Sequence, residues 1–163
     1  MTTLTSLVLS QNENIGEFFK VMNPIQQKKE INKILKLCIP RKLYYSICKI
    51  LEFVDDKEIL DKDYHDLYYA KIGKLDFKIN DLNSVVVVAA WHNNHKLLKK
   101  LCLMVDMNTY LVSMASHNCD MKSLLIMDPC VTNIYDYYNC AQFSKNEKLR
   151  LDLINYVKKN SRK

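Results

Sequence analysis

The sequence predicts an all-α protein built from stacked antiparallel helical hairpins, and three observations lead to that prediction. The 163 residues include only two glycines and three prolines, too few for the many tight turns of a β-sandwich or barrel. Apolar residues recur at helical spacing through most of the chain. A helix-turn-helix pattern in the middle of the chain is then followed by a second, similar one. Self-similarity of this kind is typical of proteins made of stacked helical units.

The N-terminal half is predicted to contain four helices. The first begins near Asn14 and ends before Pro24, because the residue before a proline avoids helical backbone angles. The second spans about Ile25 to Cys38. The third begins at Pro40, a residue suited to the first turn of a helix, and carries an apolar stripe of Leu43, Ile47, Ile50 and Leu51. A fourth contains Leu67, Tyr68 and Ala70 and ends at Gly73.

Residues 84–102, SVVVVAAWHNNHKLLKKLC, decide the fold class. Valine favours strands, but this run passes directly into Ala89-Ala90, and alanine is the best helix former. No second strong strand candidate lies nearby, and an isolated strand is unstable. We therefore predict a helix, a turn at Asn93-Asn94, and an amphipathic helix with its lysines on the outside.

The pattern recurs in TYLVSMASHNCDMKSLLIM, residues 109–127, and Asp128-Pro129 closes this second unit. A last helix over about residues 144–158 is predicted from Ser144 and Glu147, which have the spacing of a capping box. We expect one helical domain over residues 14–160, with a loosely ordered N-terminus at residues 1–13.

In this register residues 63–128 resemble ankyrin repeats, whose core has a hydroxyl residue, paired alanines, a turn and a leucine-rich second helix. The residues that carry the resemblance are Ser84, Val86, Ala89, Ala90, Asn93, Asn94, Leu97, Leu101 and Cys102. The two units begin 25 residues apart, at Ser84 and Thr109, a shorter period than the roughly 33 residues of the family. The closing segment, residues 143–160, is similar to the end of poxvirus host-range ankyrin proteins.

This resemblance implies a non-enzymatic interaction module, a viral host-range or innate-immune (interferon or NF-κB) modulator that binds a host protein in the host cytoplasm. Partners of repeat stacks meet the turns and first helices, so the predicted partner-binding residues are Trp91, His92, Asn94, His117 and Asn118. No cofactor is expected. Two alternatives are open: a basic helical nucleic-acid-binding protein, and a ubiquitin-ligase adaptor whose F-box-like motif follows Pro40.

Other classes of site find little support in the sequence. His92, His95, His117 and Cys119 are the only metal candidates, and they lack the close ligand pairs of structural zinc sites. Cys119 and a histidine could form a nucleophilic pair, but no pattern marks an orienting group or an oxyanion site. The longest apolar run, Val85 to Trp91, is far shorter than the roughly 20 residues of a membrane span. The N-terminus lacks the basic region of a signal peptide. We therefore expect no metal site, no catalytic site and no membrane span.

Overall fold

The computed structural model describes residues 4–9, 14–74 and 81–162, and every regular element within these ranges is a helix. The all-α prediction is therefore confirmed for the described residues. The helices are α1 Leu4–Leu9, α2 Ile15–Lys20, α3 Pro24–Cys38, α4 Tyr44–Leu51, α5 His65–Ile72, α6 Leu82–Trp91, α7 His95–Cys102, α8 Thr109–Ser116, α9 Met121–Met127, α10 Ile134–Phe143 and α11 Glu147–Asn160. Two 3-10 turns, Lys57–Ile59 and Lys62–Tyr64, precede α5.

Helix α1 differs from the expectation of a loosely ordered N-terminus at residues 1–13. Its apolar residues Leu4, Leu7 and Val8 recur at helical spacing and are buried in the core. The Ser46 hydroxyl, on α4, donates a hydrogen bond to the Val8 carbonyl at 2.8 Å. Residues 1–3 and 10–13 lie outside the described residues.

Helix α3 begins as predicted, whereas α4 does not. Asn23 caps α3 through a reciprocal capping box with Gln26, and Pro24 occupies its first turn. Pro40, the predicted start of the next helix, instead lies in the turn that ends α3. In that turn Lys42 adopts a left-handed conformation (φ 55°), and the Leu43 N–H donates to the Cys38 carbonyl, a C-terminal motif that delays α4 until Tyr44.

The valine-rich segment forms α6, which confirms that it is a helix and not a strand. The Asp81 carboxylate caps α6 by accepting from the Ser84 N–H and hydroxyl. Ser84 and all of Val85 to Trp91 are buried. The polar composition of FKINDLN, residues 77–83, predicts a loop before this helix. Residues 77–80 lie outside the described residues, whereas Leu82 and Asn83 belong to α6.

The C-terminal half forms three stacked helical hairpins: α6 with α7, α8 with α9, and α10 with α11. The first helices α6, α8 and α10 contact one another in order, as do the second helices α7, α9 and α11. Helix α5 packs against α6 before the first hairpin, and α4 packs against both α6 and α8. The third hairpin extends the stack beyond the two units that the sequence indicates.

The first and third hairpins share one register, offset by 52 positions. Asp81 and Asn133 cap their first helices, and the carbonyls of Ala89 and Ala141 each accept a bond from the residue five positions later. The second helices align in the same way, with Leu97 and Leu101 at the positions of Leu149 and Leu153; all four leucines are buried.

The last helix begins later than the sequence predicts. Helix α11 starts at Glu147, and its cap is Asn146, whose side chain accepts from the Leu149 N–H. Ser144, the predicted cap, follows the end of α10 and bonds to the His117 ring. Among the described residues, none of the helices combines the length and hydrophobicity that a bilayer-spanning segment needs.

Gly73 and Lys145 have left-handed backbone angles at the ends of helices. Gly73 has φ 76°, and an added Cβ would lie 2.9 Å from the Asn94 Oδ1. Because side chains disfavour left-handed angles, we expect Gly73→Ala to lower the free energy of unfolding by about 1–2 kcal/mol. Lys145 is exposed and has φ 57°. Lys145→Gly should therefore raise the free energy of unfolding by roughly 0.5 kcal/mol. Urea denaturation checks both variants, and equal midpoints for the two would contradict this account.

Candidate functional site

Two of the five predicted partner-binding residues are buried beneath α4. Trp91 is 2% exposed and His117 is 8% exposed. The Tyr45 ring, on α4, lies 5.7 Å from the Trp91 ring and 4.8 Å from the His117 ring. Phe143 completes this group, at 5.7 Å from His117. We call Tyr45, Trp91, His117 and Phe143 the Tyr45 cluster. Trp91 therefore cannot present its ring to a partner, and that part of the predicted site is wrong.

The two predicted asparagines serve the stack itself. The Asn94 side-chain amide donates to the Ala70 carbonyl at 2.7 Å and the Lys71 carbonyl at 2.8 Å, at the end of α5. The Asn118 amide donates to the Trp91 carbonyl at 3.0 Å, at the end of α6. These bonds satisfy carbonyls that a helix end leaves without a partner.

Asn146, which the sequence analysis did not select, repeats the arrangement in the third hairpin. Its amide donates to the Ser116 carbonyl at 3.2 Å, at the end of α8, and to the Cys119 carbonyl at 2.9 Å, in the turn that follows. We call Asn94, Asn118 and Asn146 the turn asparagines. Asn94 joins the first turn to the end of α5, Asn118 joins the second turn to the end of α6, and Asn146 joins the third turn to the end of α8. These residues therefore hold neighbouring units together.

Neighbouring turns are also joined by a second set of side chains. The Asn93 Oδ1 accepts from the Asp120 N–H at 2.8 Å and from the Ser123 hydroxyl at 3.1 Å. The His95 Nε2 lies 2.9 Å from a carboxylate oxygen of Asp120. His95 and Asp120 belong to successive hairpins, so this pair adds to the contact between them.

The histidines and cysteines of these turns do not converge on one point. The His95 ring contacts Asp120, whereas the His117 ring contacts Ser144. Within the described ranges, no group of three or more His, Cys, Asp or Glu side chains is placed to hold a metal ion. Burial raises the pKa of the Cys119 thiol well above its usual range, so this thiol is protonated at neutral pH and is a poor nucleophile.

Burial lowers the pKa of His92 and of His117. The pKa of His117 falls to about 4, through burial first and the nearby Lys49 charge second. The pKa of His92 also falls to about 4, through burial and then the Lys71 charge. The His92 Nε2 is buried without a hydrogen-bond partner. Both rings are therefore neutral at pH 7, and neither offers a cation to an acidic partner.

Helix α4, the basis of the F-box-like alternative, has its apolar residues in the core. Ile47, Ile50 and Leu51 are fully buried, and Tyr45 lies in the Tyr45 cluster. The apolar stripe of α4 therefore contacts this chain and is not presented at the surface.

An accessible groove lies between α8 and α10. We call it the α8/α10 groove; its volume is about 450 Å³, and its lining residues are Thr109, Tyr110, Ser113, Met114, Asp136, Asn139 and Cys140. The Ser113 hydroxyl is buried there without a hydrogen-bond partner. Tyr110 is 43% exposed, and its hydroxyl donates to the Lys42 carbonyl at 3.0 Å. The groove thus combines apolar contact area with hydrogen-bond acceptors.

This groove was not predicted from the sequence, because α10, which forms one of its walls, was not predicted. The available signal was Asn133 followed by Ile134, Tyr137, Tyr138 and Ala141, a capped helical pattern.

No family model, no curated protein and no solved structure matches the chain.

The lowered pKa values predict a loss of stability in mild acid. Below about pH 6.5 the unfolded chain protonates its histidines, whereas folded His117 stays neutral down to about pH 4. The free energy of unfolding should therefore fall as the pH drops through this window, by about 2 kcal/mol at pH 5 for His117 alone. In His117→Phe, urea denaturation at pH 7 and pH 5 should show a clearly smaller loss than in wild type.

Ser144→Ala is the control, because it removes a hydrogen bond of His117 and keeps the buried ring. This variant should retain the wild-type pH dependence. An unchanged pH dependence in His117→Phe would show that burial of this ring does not cause the loss of stability in mild acid.

Proposed function

We propose that the chain is a non-enzymatic protein-interaction module, a degenerate ankyrin-like stack that acts as a viral host-range or innate-immune modulator. Its partner is a host protein met in the host cytoplasm. The proposal rests on the stacked hairpins together with the α8/α10 groove, an accessible groove between the first helices of successive hairpins. The resemblance to ankyrin repeats and to poxvirus host-range proteins supports the viral part of the proposal.

The chemistry of the groove indicates what it binds. Tyr110 and Met114 supply apolar area, and both residue types are favoured at protein interfaces. Asp136 and Asn139 lie on the opposite wall, and the Asp136 carboxylate accepts from the Asn133 amide at 2.7 Å with lone pairs to spare. A partner segment with an apolar side chain beside a lysine, arginine or amide group would satisfy both walls.

Asn139→Arg tests the proposal, because Asn139 is exposed and its replacement places a long cation in the groove. We expect the variant to fold as wild type and to lose at least about 10-fold of its affinity for the captured host protein, on the scale of a hot-spot residue. Affinity capture from host cells, followed by mass spectrometry and titration of the purified partner, measures this. Interferon and NF-κB reporters in transfected cells should show a parallel loss of inhibition.

Asn155→Arg is the matched control, since Asn155 is exposed on α11 and lies outside the groove. It should bind as wild type. Equal binding by Asn139→Arg and wild type would remove the groove from the interface.

One observation favours nucleic-acid binding as a second candidate function. A groove of about 550 Å³ beside α3 is lined by Lys28, Lys29, Lys33 and Lys36. Four lysines along one groove suit a phosphate backbone, and such binding weakens steeply with salt. A steep fall in the affinity for duplex DNA or RNA between low and physiological salt would support this candidate. No measurable affinity at low salt would exclude it.

A further inference from the structure

The second helices of the three hairpins share one register. Their caps, Asn94, Asp120 and Asn146, follow one another at intervals of 26 positions. Helix α7 contacts α9, and α9 contacts α11. Residues that occupy the same position in these helices therefore form rows that cross α7, α9 and α11.

One such row consists of lysines. Lys96, Lys122 and Lys148 are each the second residue of their helix, and all three are exposed. We call them the lysine row. One turn later, Leu125 of α9 and Leu151 of α11 are 36% and 52% exposed. Because residues three positions apart lie on one face of a helix, the two leucines form an apolar row beside the lysine row.

Helix stability does not account for the lysine row. The positive end of the helix dipole disfavours a cation in the first turn of a helix, where acidic residues are preferred. All three second helices nevertheless carry a lysine there. A cation placed against the local electrostatics three times in succession indicates a surface that meets an anionic partner.

The net charge of the chain is concentrated on the same three helices. They contain eight basic and two acidic residues, so their surplus of six equals the net charge of +6 of the whole chain. Two acids beside the lysine row are already engaged, because the Asp120 carboxylate contacts a histidine ring and Glu147 is ion-paired with Arg150. Asp152 lies one turn after Lys148 and offsets part of the charge at that end of the row.

We propose that the lysine row and the two leucines dock an acidic amphipathic helix of a partner protein, whose axis crosses α7, α9 and α11. Packed helices lie about 8–10 Å apart, so the lysines recur at about that interval. Carboxylates seven residues apart on one side of a helix recur every ~10.5 Å, which matches the lysine row. An apolar residue three or four positions from each carboxylate lies on the same side of that helix and contacts the leucines.

An acidic helix fits this surface better than a nucleic acid does. Phosphates would pair with the lysine row, but a sugar-phosphate backbone offers little apolar area to Leu125 and Leu151. An acidic amphipathic helix supplies both charge and apolar area. The surface belongs to the second helices, whereas the α8/α10 groove lies between two first helices. The proposal therefore does not rest on the proposed function.

Fluorescence anisotropy of a labelled synthetic helix, titrated with the full chain, tests the proposal. The probe has about 20 residues, a length of about 30 Å, with glutamate at every seventh position, leucine four positions after each glutamate, and alanine and glutamine elsewhere. At low salt we expect a dissociation constant of about 10–100 μM. Lys122→Glu should weaken binding by about 5-fold, because it replaces an exposed ion pair by a repulsion. Replacing all three lysines of the row by glutamate should abolish binding.

Lys29→Glu is the matched control. Lys29 is exposed and lines the groove beside α3, so this variant makes the same change of charge outside the second helices. It should bind the probe as wild type does. The variants of the lysine row should fold as wild type, because their side chains are exposed and glutamate is favoured in the first turn of a helix.

Four results would overturn the proposal. They are no binding of the probe by the wild-type chain, an equal loss in Lys29→Glu and Lys122→Glu, equal affinity for a probe whose leucines are replaced by glutamine, or a DNA duplex that binds more tightly than the probe and is released by Lys122→Glu. The last result would assign the lysine row to nucleic acid. Asn139→Arg should bind the probe as wild type does, so failure of this proposal is distinguishable from failure of the α8/α10 groove.

Discussion

The stacking of the hairpins depends on side-chain amides that donate hydrogen bonds to backbone carbonyls at the ends of helices. A first helix in this stack ends beside the turn of the next unit, where its last carbonyls have no backbone partner. The turn asparagines donate to such carbonyls at the ends of three helices: Asn94 to Lys71 of α5, Asn118 to Trp91 of α6 and Asn146 to Ser116 of α8. Each bond is worth only about 1 kcal/mol, but a buried carbonyl without a partner costs about as much again or more. Each turn asparagine therefore helps to hold its hairpin against the preceding helix.

The N-terminal helices change what such a stack can do. Tyr45 reaches from α4 to Trp91, His117 and Phe143, so α4 lies over the ends of the three first helices. A partner that approached this surface would meet α4 and the exposed Phe143 ring, but not the buried rings of Trp91 and His117. The α8/α10 groove, which is the proposed binding site, begins near α4, where the Tyr110 hydroxyl donates to the Lys42 carbonyl.

The sequence predicted local structure better than it predicted exposure. The helix through Val85–Val88, the turn at Asn93-Asn94 and the left-handed Gly73 follow from propensity and short-range pattern. Trp91 was placed at a surface because nothing in its neighbourhood reveals that Tyr45, 46 positions earlier, packs against it. Asn94 and Asn118 were expected to meet a partner, since sequence cannot tell an amide that bonds to a host protein from one that bonds to its own chain. Helix α10 was missed because Asn133, Tyr137 and Ala141 were not recognised as a capped helical pattern.

The central claim, that the turn asparagines couple neighbouring hairpins, is tested most directly by residue-resolved hydrogen exchange in Asn146→Ala. Loss of the two bonds to the Ser116 and Cys119 carbonyls should speed exchange of the amides at the end of α8 and in α10 and α11. Amides of α5, on the far side of α6, should change much less. Exchange that is unchanged throughout α8, α10 and α11 would contradict the claim, because it would mean that the hairpins stack without help from the asparagine bonds.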